Sequence, residues 1–254
     1  MNHYIPKFLL STKNNKTIKG EKYGWITYIM YLAPFTQNAT GKNVCSHASN
    51  GCVEACLFGA GRGGMYTSVE RARINKTNYL LAERQNFIAQ LYNEIEKLVK
   101  KHKKKKEQVC IRLNGTSDLA WEKFNINGKS LMEHFPQVQF YDYTKNYLRF
   151  NRVLPANYHL IFSRSETNEK QVEDLLSKGH NVAVVFDKLP ETYNGYKVVN
   201  GDLSDLRFKD EKNVVVGLKY KKMTGKGADN KKAFESGFAL KIENLEENKV
   251  ASAA

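Results

Sequence analysis

The stretch Trp25-Ile-Thr-Tyr-Ile-Met-Tyr-Leu32 is rich in aromatic and β-branched residues and lies near the start of a chain of 254 residues. Such side chains favour an extended backbone, and the length of the run suits one buried strand. Ala33 and Pro34 follow it, and a proline ends a strand because it has no N–H group to donate. We therefore predict a buried strand over residues 25–32 and a loop after it.

Six later apolar runs have the same character, and helical stretches separate several of them. They are Val109–Leu113, Val138–Tyr143, Tyr158–Phe162, Val182–Phe186, Tyr196–Val199 and Val214–Leu218. Strands that alternate with helices are typical of a mostly parallel sheet. Seven strands suit a partial or complete β/α barrel, or a doubly wound sheet.

Polar residues directly follow nearly every predicted strand, which favours the barrel. They are Asn114–Asp118, Tyr143–Lys145, Ser163–Ser165, Asp187, Asn200–Asp202 and Lys219–Lys221. In parallel β/α folds the functional site lies at the carboxyl ends of the strands. The predicted fold class is therefore α/β, a partial or complete β/α barrel with a cysteine-bearing loop after its first strand.

Two helical segments are predicted from capping signals and periodicity. Thr67 to Glu70 forms a capping-box pattern that opens a long amphipathic segment, with a break near residues 75–78 and a lysine run at Lys100–Lys106. The second segment is Glu166–Lys178, closed by Gly179 as the glycine after a helix end.

The strongest chemical signal is Cys45-x6-Cys52-x3-Cys56, in the loop over residues 35–66. Three thiols this close in sequence can meet at one centre, and thiolates select iron–sulfur clusters or zinc. An iron–sulfur cluster on three cysteines leaves one iron for a substrate, a non-cysteine ligand or Cys110. Zinc would use His47 as its fourth ligand, and a loop without metal is the third alternative. A disulfide is disfavoured in a reducing cytosol.

Two further groups are candidates for binding a cofactor. Gly61, Arg62 and Gly63 belong to a glycine-rich segment that leads into a predicted helix, where backbone amides and the helix N-terminus favour an anion. The same glycines are also what a loop needs to pass close to a cluster. Thr144 and Lys145 follow the third predicted strand, where a lysine facing the barrel mouth would bind a carboxylate or phosphate.

A compact polar set follows the second predicted strand. Arg112, Asn114, Ser117 and Asp118 occupy the position where catalytic groups lie in parallel β/α folds. The structural alternative is turn chemistry, because Asn-Gly and Ser-Asp pairs are ordinary turn and helix-cap residues.

The composition excludes several classes of protein. Hydrophobic residues make up 41% of the chain, which argues against disorder, and no run approaches the roughly 18 apolar residues of a membrane span. We expect no secretory signal. The net charge is +14, which allows contact with nucleic acid or an acidic host protein through the lysine-rich segments, although 31 Lys against 9 Arg also suits codon bias. We predict one domain over residues 1–250, with a basic segment over 1–22 and a tail or scar over 251–254.

Five motifs together resemble a bacteriophage gene-product family, the gene product eighty-eight domain. They are Lys19-Gly-Glu-Lys-x-Gly-Trp-x-Thr27, Tyr31-Leu-Ala-Pro34, Gly51-Cys52-x-x-Ala-Cys56-Leu, Gly61-Arg62-Gly63 and Arg112-Leu-Asn-Gly-Thr-Ser-Asp118. The run Tyr141-x-Tyr143-Thr144-Lys145 fits the same family. The resemblance spans most of the chain and implies a phage protein made in the cytoplasm of an infected bacterium, without implying a known reaction.

A second resemblance, of architecture, is to radical S-adenosylmethionine (SAM) enzymes, which carry a three-cysteine loop after the first strand of a partial barrel. It implies that Cys45, Cys52 and Cys56 ligate a [4Fe–4S] cluster whose open iron binds SAM. The spacing here, C-x6-C-x3-C, departs from the usual C-x3-C-x2-C of that superfamily. Asn114-Gly-Thr-Ser117 occupies the place of its glycine-rich motif.

These observations predict an iron–sulfur protein, most simply an enzyme that binds SAM or a small-molecule substrate at the open iron. One alternative is a hydrolase or lyase in which the iron acts as a Lewis acid. Another is a basic module that binds nucleic acid or a host protein and carries a structural cluster or zinc.

Overall fold

The predicted alternation of strands and helices forms a mixed α/β architecture. The computed structural model describes residues 4–13, 17–35, 37–60, 62–224, 229–243 and 245. The strands are β1 (Leu10–Ser11), β2 (Trp25–Met30), β3 (Gln108–Arg112), β4 (Asn125–Ile126), β5 (Lys129–Ser130), β6 (Gln139–Thr144), β7 (Tyr158–Ser163), β8 (Val182–Phe186), β9 (Thr192–Tyr193), β10 (Tyr196–Asn200), β11 (Val215–Lys219) and β12 (Ala239–Leu240).

Ten of these strands form one mostly parallel sheet. The order is β1-β2-β3-β6-β7-β8-β11-β10-β9, and β12 pairs with β8 beside the carboxyl end of β7. The seven strands from β2 along this order to β10 are parallel to one another, whereas the edge strands β1 and β9 are each antiparallel to their neighbour. The parallel arrangement brings the carboxyl ends of β2, β3, β6 and β7 to the same edge, which is the edge where the sequence predicts the site.

The sheet is open, and the complete barrel that was one form of the prediction does not form in the described part of the chain. Strands β1 and β9 are its two edges, and no pairing joins them there. The segment after β10 instead crosses one face, where Leu206 packs on Cys110 and the Phe208 ring lies 4.8 Å from that of Trp25. This segment occupies the face that a closed barrel would use as its interior.

The helices are α1 (Thr17–Glu21), α2 (Asn50–Glu54), α3 (Arg62–Met65), α4 (Thr67–Ala82), α5 (Arg84–Lys105), α6 (Leu131–His134), α7 (Glu169–Ser177) and α8 (Lys232–Glu235). The longest of them, α4, α5 and α7, pack on the opposite face of the sheet, whereas α1 lies on the same face as the segment after β10, where Gly20 approaches Leu206. The main core lies between β2, β3 and β6 and the helices α4 and α5, where Phe87, Leu91 and Ile95 are fully buried. None of the helices described is both long and apolar enough to cross a bilayer.

Two details of the long helical segment differ from the prediction. The expected capping box is not formed, because Thr67 is already inside α4 and the cap position belongs to Tyr66, which makes no side-chain cap bond. The break lies at Glu83 rather than at residues 75–78. In contrast, Gly179 follows α7 with a φ of 83°, as expected for the glycine after a helix end.

The single-domain division stays a prediction. The tail over residues 251–254 lies outside the described residues, as do parts of the basic N-terminal segment.

Candidate functional site at the carboxyl edge of the sheet

The second cysteine of the loop lies on the short helix α2, which a glutamate from another strand end holds in place. Ser49 caps this helix by accepting a hydrogen bond from the Cys52 backbone N–H at 3.3 Å. Glu166, just after β7, accepts from the Ser49 hydroxyl and from the Gly51 backbone N–H, both at 2.7 Å. One carboxylate therefore fixes the start of α2 to the edge of the sheet.

Close packing at Gly51 fixes the same helix from the other side. A Cβ atom there would lie 2.5 Å from the Ser236 hydroxyl oxygen and 2.9 Å from Cβ of Phe238. Only glycine allows this approach, so the loop lies directly on the segment that precedes β12. Cys52 packs beside Phe238 in the small apolar cluster formed there.

The first cysteine is held by the polar turn after β3. The Asp118 backbone N–H donates to the Val44 carbonyl at 2.9 Å, and the Cys45 thiol donates to the Thr116 carbonyl at 3.8 Å. Thr116 in turn donates its hydroxyl to the Leu32 carbonyl at 2.6 Å, at the exit from the first parallel strand. The turn thus ties the cysteine loop to the ends of two strands.

The three loop thiols lie within electrostatic reach of one another. Burial raises the pKa of Cys45 well above its ordinary value, and the neighbouring Cys56 and Cys52 raise it further. Burial raises the pKa of Cys56 to about 11, although the Phe58 backbone N–H acts in the opposite direction. Both of these thiols are therefore neutral at pH 7 unless a cation deprotonates them.

Lys145 stands among these thiols. Its backbone N–H donates to Asp118 at 2.8 Å, and its Nζ donates to the Ser163 hydroxyl at 3.1 Å. Burial lowers the pKa of Lys145, but the electrostatic interactions with Cys52, Asp118 and Cys45 outweigh it, so the pKa is raised overall. The ammonium group is a fixed positive charge beside the candidate ligands.

The three thiols are the type of ligand that a thiophilic metal prefers, but they are not arranged as a metal site. Three thiols supply the soft sulfur ligands that such a metal prefers, and the neighbouring ammonium group would offset the negative charge of thiolates. Across the described residues, however, no three His, Cys, Asp or Glu side chains stand in the arrangement of a ready-made metal site. Binding would require the thiols to lose their protons and to move closer together.

The other two proposed ligands have hydrogen-bond partners of their own. His47 is exposed, and its Nδ1 lies 3.1 Å from the Ser46 hydroxyl. Cys110 is fully buried on β3, where its Sγ lies 3.2 Å from the Thr27 hydroxyl and its neighbours are Tyr141 and Leu206. The structure therefore gives Cys110 the surroundings of a core residue.

Of the four candidate catalytic residues, three build the turn after β3. The Asn114 side-chain oxygen accepts from the Ser117 hydroxyl, the Leu119 N–H and the Trp121 indole at 2.8, 3.0 and 3.0 Å. Asp118 accepts from the Thr144 hydroxyl at 2.7 Å. These contacts position the loop and Lys145, and they give Asn114, Ser117, Asp118 and Thr144 a structural task.

Arg112 belongs to a polar cluster on the face covered by the segment after β10. Its guanidinium donates to Asp205 at 3.2 Å and stacks on the Tyr143 ring at 4.5 Å. Tyr141 donates its hydroxyl to the same carboxylate at 3.0 Å. Burial would lower the pKa of Arg112, but Asp205 and the tyrosines raise it above its ordinary value. Arg112 is thus held by Asp205, to which Cys110 is also electrostatically coupled.

Of the glycine-rich segment, Gly61 lies outside the described residues, and Arg62 and Gly63 begin helix α3.

Two residues of the site were not predicted from the sequence. Glu166 directly follows the polar group Ser163–Ser165, a position that could have drawn attention to it. Arg73 donates to the Phe58 carbonyl at 3.0 Å, and its charge lies near Cys56.

Replacing Gly115 by alanine is expected to lower the free energy of unfolding by about 1–3 kcal/mol. A Cβ atom there would lie 2.5 Å from the Met30 carbonyl oxygen and 2.7 Å from Cγ2 of Ile29. Urea unfolding of the Gly115→Ala variant measures the loss. Gly59→Ala is the matched control, because its Cβ would be 3.6 Å from the Met223 sulfur, an ordinary contact. Equal stability of the two variants would contradict the close approach.

The sequence model of the family described as Gene product 88 matches residues 8–238 of the chain. The chain matches no curated protein and no solved structure.

Proposed function

The chain belongs to the Gene product 88 family, and we propose that it is an iron–sulfur enzyme. Cys45, Cys52 and Cys56 would hold a [4Fe–4S] cluster and leave one iron open to SAM or to a small-molecule substrate. The observation that carries the proposal is the gathering of three loop thiols around one lysine at the carboxyl edge of a parallel sheet.

The strand order supports the finer, radical-SAM-like part of the proposal. Strands β2, β3, β6, β7 and β8 are neighbours in the same order as in the chain, as in the first part of a β/α barrel. The cysteine loop follows the first parallel strand, β2. On this proposal the sheet is a partial barrel, filled on its inner face by the segment that follows β10.

The chain's own residues would hold and orient the cofactor. Asp118 and Ser163 hold Lys145 beside the thiols, where its charge would offset the negative charge of thiolate ligands. Glu166 would keep Cys52 in place while the loop closes. When bound, a cluster with an open iron supplies an electron for the cleavage of SAM, or Lewis-acid polarisation of a substrate.

Anaerobic purification with iron, sulfide and zinc analysis tests the proposal. We expect a brown protein with iron and sulfide in equal amounts and a broad visible absorption from the thiolate-ligated cluster. Replacing Cys45, Cys52 or Cys56 by alanine should each abolish the absorption.

The Cys110→Ala variant is the matched control, because Cys110 lies in the core and should leave the absorption intact. Loss of the absorption in this variant would mean that all four irons have protein ligands. No iron would then be open to SAM or a substrate, and that part of the proposal would be wrong. A colourless protein that carries zinc would overturn the iron–sulfur assignment.

A further inference from the structure

A surface cavity of about 560 Å³ opens at the carboxyl ends of three parallel strands. Asp187, Tyr220 and Lys241 are the first residues after β8, β11 and β12, and all three line it. Small-molecule sites in parallel α/β sheets lie at this edge, and the volume falls within the range of about 300–1,000 Å³ usual for ligand pockets. The cavity is lined by residues outside the thiol site.

One wall of the cavity is aromatic and fixed. The rings of Tyr220 and Phe234 meet edge to face with their centroids 5.1 Å apart. The Tyr220 hydroxyl donates to the Asn230 side chain at 2.9 Å, and Asn230 is itself held by the Met223 backbone N–H at 2.7 Å. Pre-positioned rings of this kind are suited to stack against a flat, π-rich ligand group.

The rest of the lining carries an excess of positive charge. Lys222, Lys231 and Lys241 are exposed and line the cavity, and within the described residues none of the three forms an ion pair. Two carboxylates, Asp187 and Glu235, share the lining. Three ammonium groups that are not engaged elsewhere favour a phosphate, which accepts charge-assisted hydrogen bonds from several lysines.

Asp187 supplies an acceptor of another kind. Its Oδ1 accepts from the backbone N–H groups of Lys188 at 2.6 Å and Ile242 at 3.0 Å, which fixes the carboxylate at the cavity edge. Its Oδ2 makes no hydrogen bond in the part of the chain that the structure describes. A hydroxyl group of a ligand would satisfy this oxygen.

We propose that this cavity binds a nucleoside phosphate. The base would stack on the aromatic wall, a ribose hydroxyl would donate to Asp187, and the phosphates would contact Lys222, Lys231 and Lys241. The site does not depend on the thiol centre, although Tyr220 and Phe234 pack in the same apolar cluster as Cys52.

Calorimetric titration of the full chain with ATP, adenosine and tripolyphosphate, each with Mg²⁺, tests the proposal. We expect ATP to bind, and adenosine and tripolyphosphate each to bind at least about tenfold more weakly, because each makes only part of the contacts. The Lys231→Glu and Lys241→Glu variants should each weaken ATP binding by about tenfold or more. Lys104→Glu, an exposed lysine on α5, is the matched control and should bind ATP as the parent does.

Three results would overturn the proposal. ATP affinity that is unchanged in both cavity variants would place the ligand elsewhere. If tripolyphosphate bound as tightly as ATP, the base and ribose would contribute nothing, and the cavity would bind anions without recognising a nucleoside. Absence of ATP binding at millimolar concentration would exclude a nucleoside phosphate site, and a single-stranded oligonucleotide that bound in its place would identify a nucleic-acid surface instead. All three measurements are independent of iron content, so a negative result for nucleotide binding would say nothing against the iron–sulfur proposal.

Discussion

The Arg149→Met variant is expected to lose about 3–5 kcal/mol of unfolding free energy, because it leaves buried carboxylates without their cation. The Arg149 side chain is 1% exposed and donates to both oxygens of Glu122, at 3.1 and 2.8 Å. Its Nη2 also donates to the Tyr158 hydroxyl at 2.8 Å, and its Nη1 lies 3.5 Å from Asp118. The side chains of Glu122 and Asp118 are only 8% and 10% exposed, so water cannot replace the lost partner.

Thermal unfolding measures this effect, and the midpoint should fall by roughly 6–20 °C for a chain of this size. Arg152→Met is the matched control, because Arg152 is exposed on the same segment and should change the midpoint little. Adding Glu122→Gln to Arg149→Met should restore part of the loss, since one uncompensated charge is then removed. If Arg149→Met were no less stable than Arg152→Met, the buried ion pairs would carry no stability.

The parallel strands were predictable because burial on both faces makes each one an almost unbroken apolar run. Val182–Phe186 has the bounds that the sequence predicts, and Tyr158–Ser163 is one residue longer than predicted. Two short hairpins were missed even though their turns are visible in the sequence. Asn127-Gly128 and Asn194-Gly195 both adopt positive φ angles, 49° and 80° and then 48° and 81°, which is the two-residue turn that Asn-Gly favours.

Of the two barrel forms that the sequence predicts, partial and complete, the complete one does not form in the described residues, and the reason lies at the two edges of the sheet. Closure requires the first and last strands to pair, but the short strands β1 and β9 take those edges as antiparallel partners. Neither two-residue strand has enough length to show an apolar pattern in the sequence. The hydrophobic runs alone therefore predict a parallel sheet and leave its edges undetermined.

The location of the candidate site was predictable, whereas its internal contacts were not. The carboxyl edge follows from the strand directions, and the polar residues after β3 and β6 do lie beside the cysteine loop. The contact between Glu166 and Gly51, in contrast, joins residues that are 115 positions apart. No local pattern encodes such a pairing. The roles of Asn114 and Ser117 in building the turn likewise became visible only once their hydrogen-bond partners were known.

The stability of the protein is expected to fall as the pH rises from 5 to 8, in part because of Asp142. This carboxyl group is fully buried on β6, where it accepts from the Asn114 backbone N–H at 2.6 Å and from the Tyr158 hydroxyl at 2.8 Å. Burial raises its pKa to about 7, although Arg112 and Arg149 act in the opposite direction. A carboxyl group with a raised pKa binds its proton more tightly in the folded state than in the unfolded chain. The contribution of this tighter proton binding to the free energy of unfolding is therefore fully present below about pH 4 and is lost as the pH rises through about 7.

The Asp142→Asn variant isolates this effect, because asparagine keeps the shape of the side chain and cannot ionise. Relative to the parent, the variant should gain about 2 kcal/mol of unfolding free energy between pH 5 and pH 8. Asp210, whose pKa burial raises to about 6, contributes in the same direction to both proteins and cancels in the comparison. Urea unfolding at each pH measures the difference.

Asp174→Asn is the control for this measurement. Hydrogen bonds from Lys178 and Tyr147 lower the pKa of Asp174 below its ordinary value, so its replacement should leave the slope from pH 5 to pH 8 unchanged. Parallel pH profiles for the parent and the Asp142→Asn variant would show that Asp142 is ionised throughout this range. Its charge would then have to be balanced by Arg112 and Arg149, the two cations that already lower its pKa, rather than removed by a bound proton.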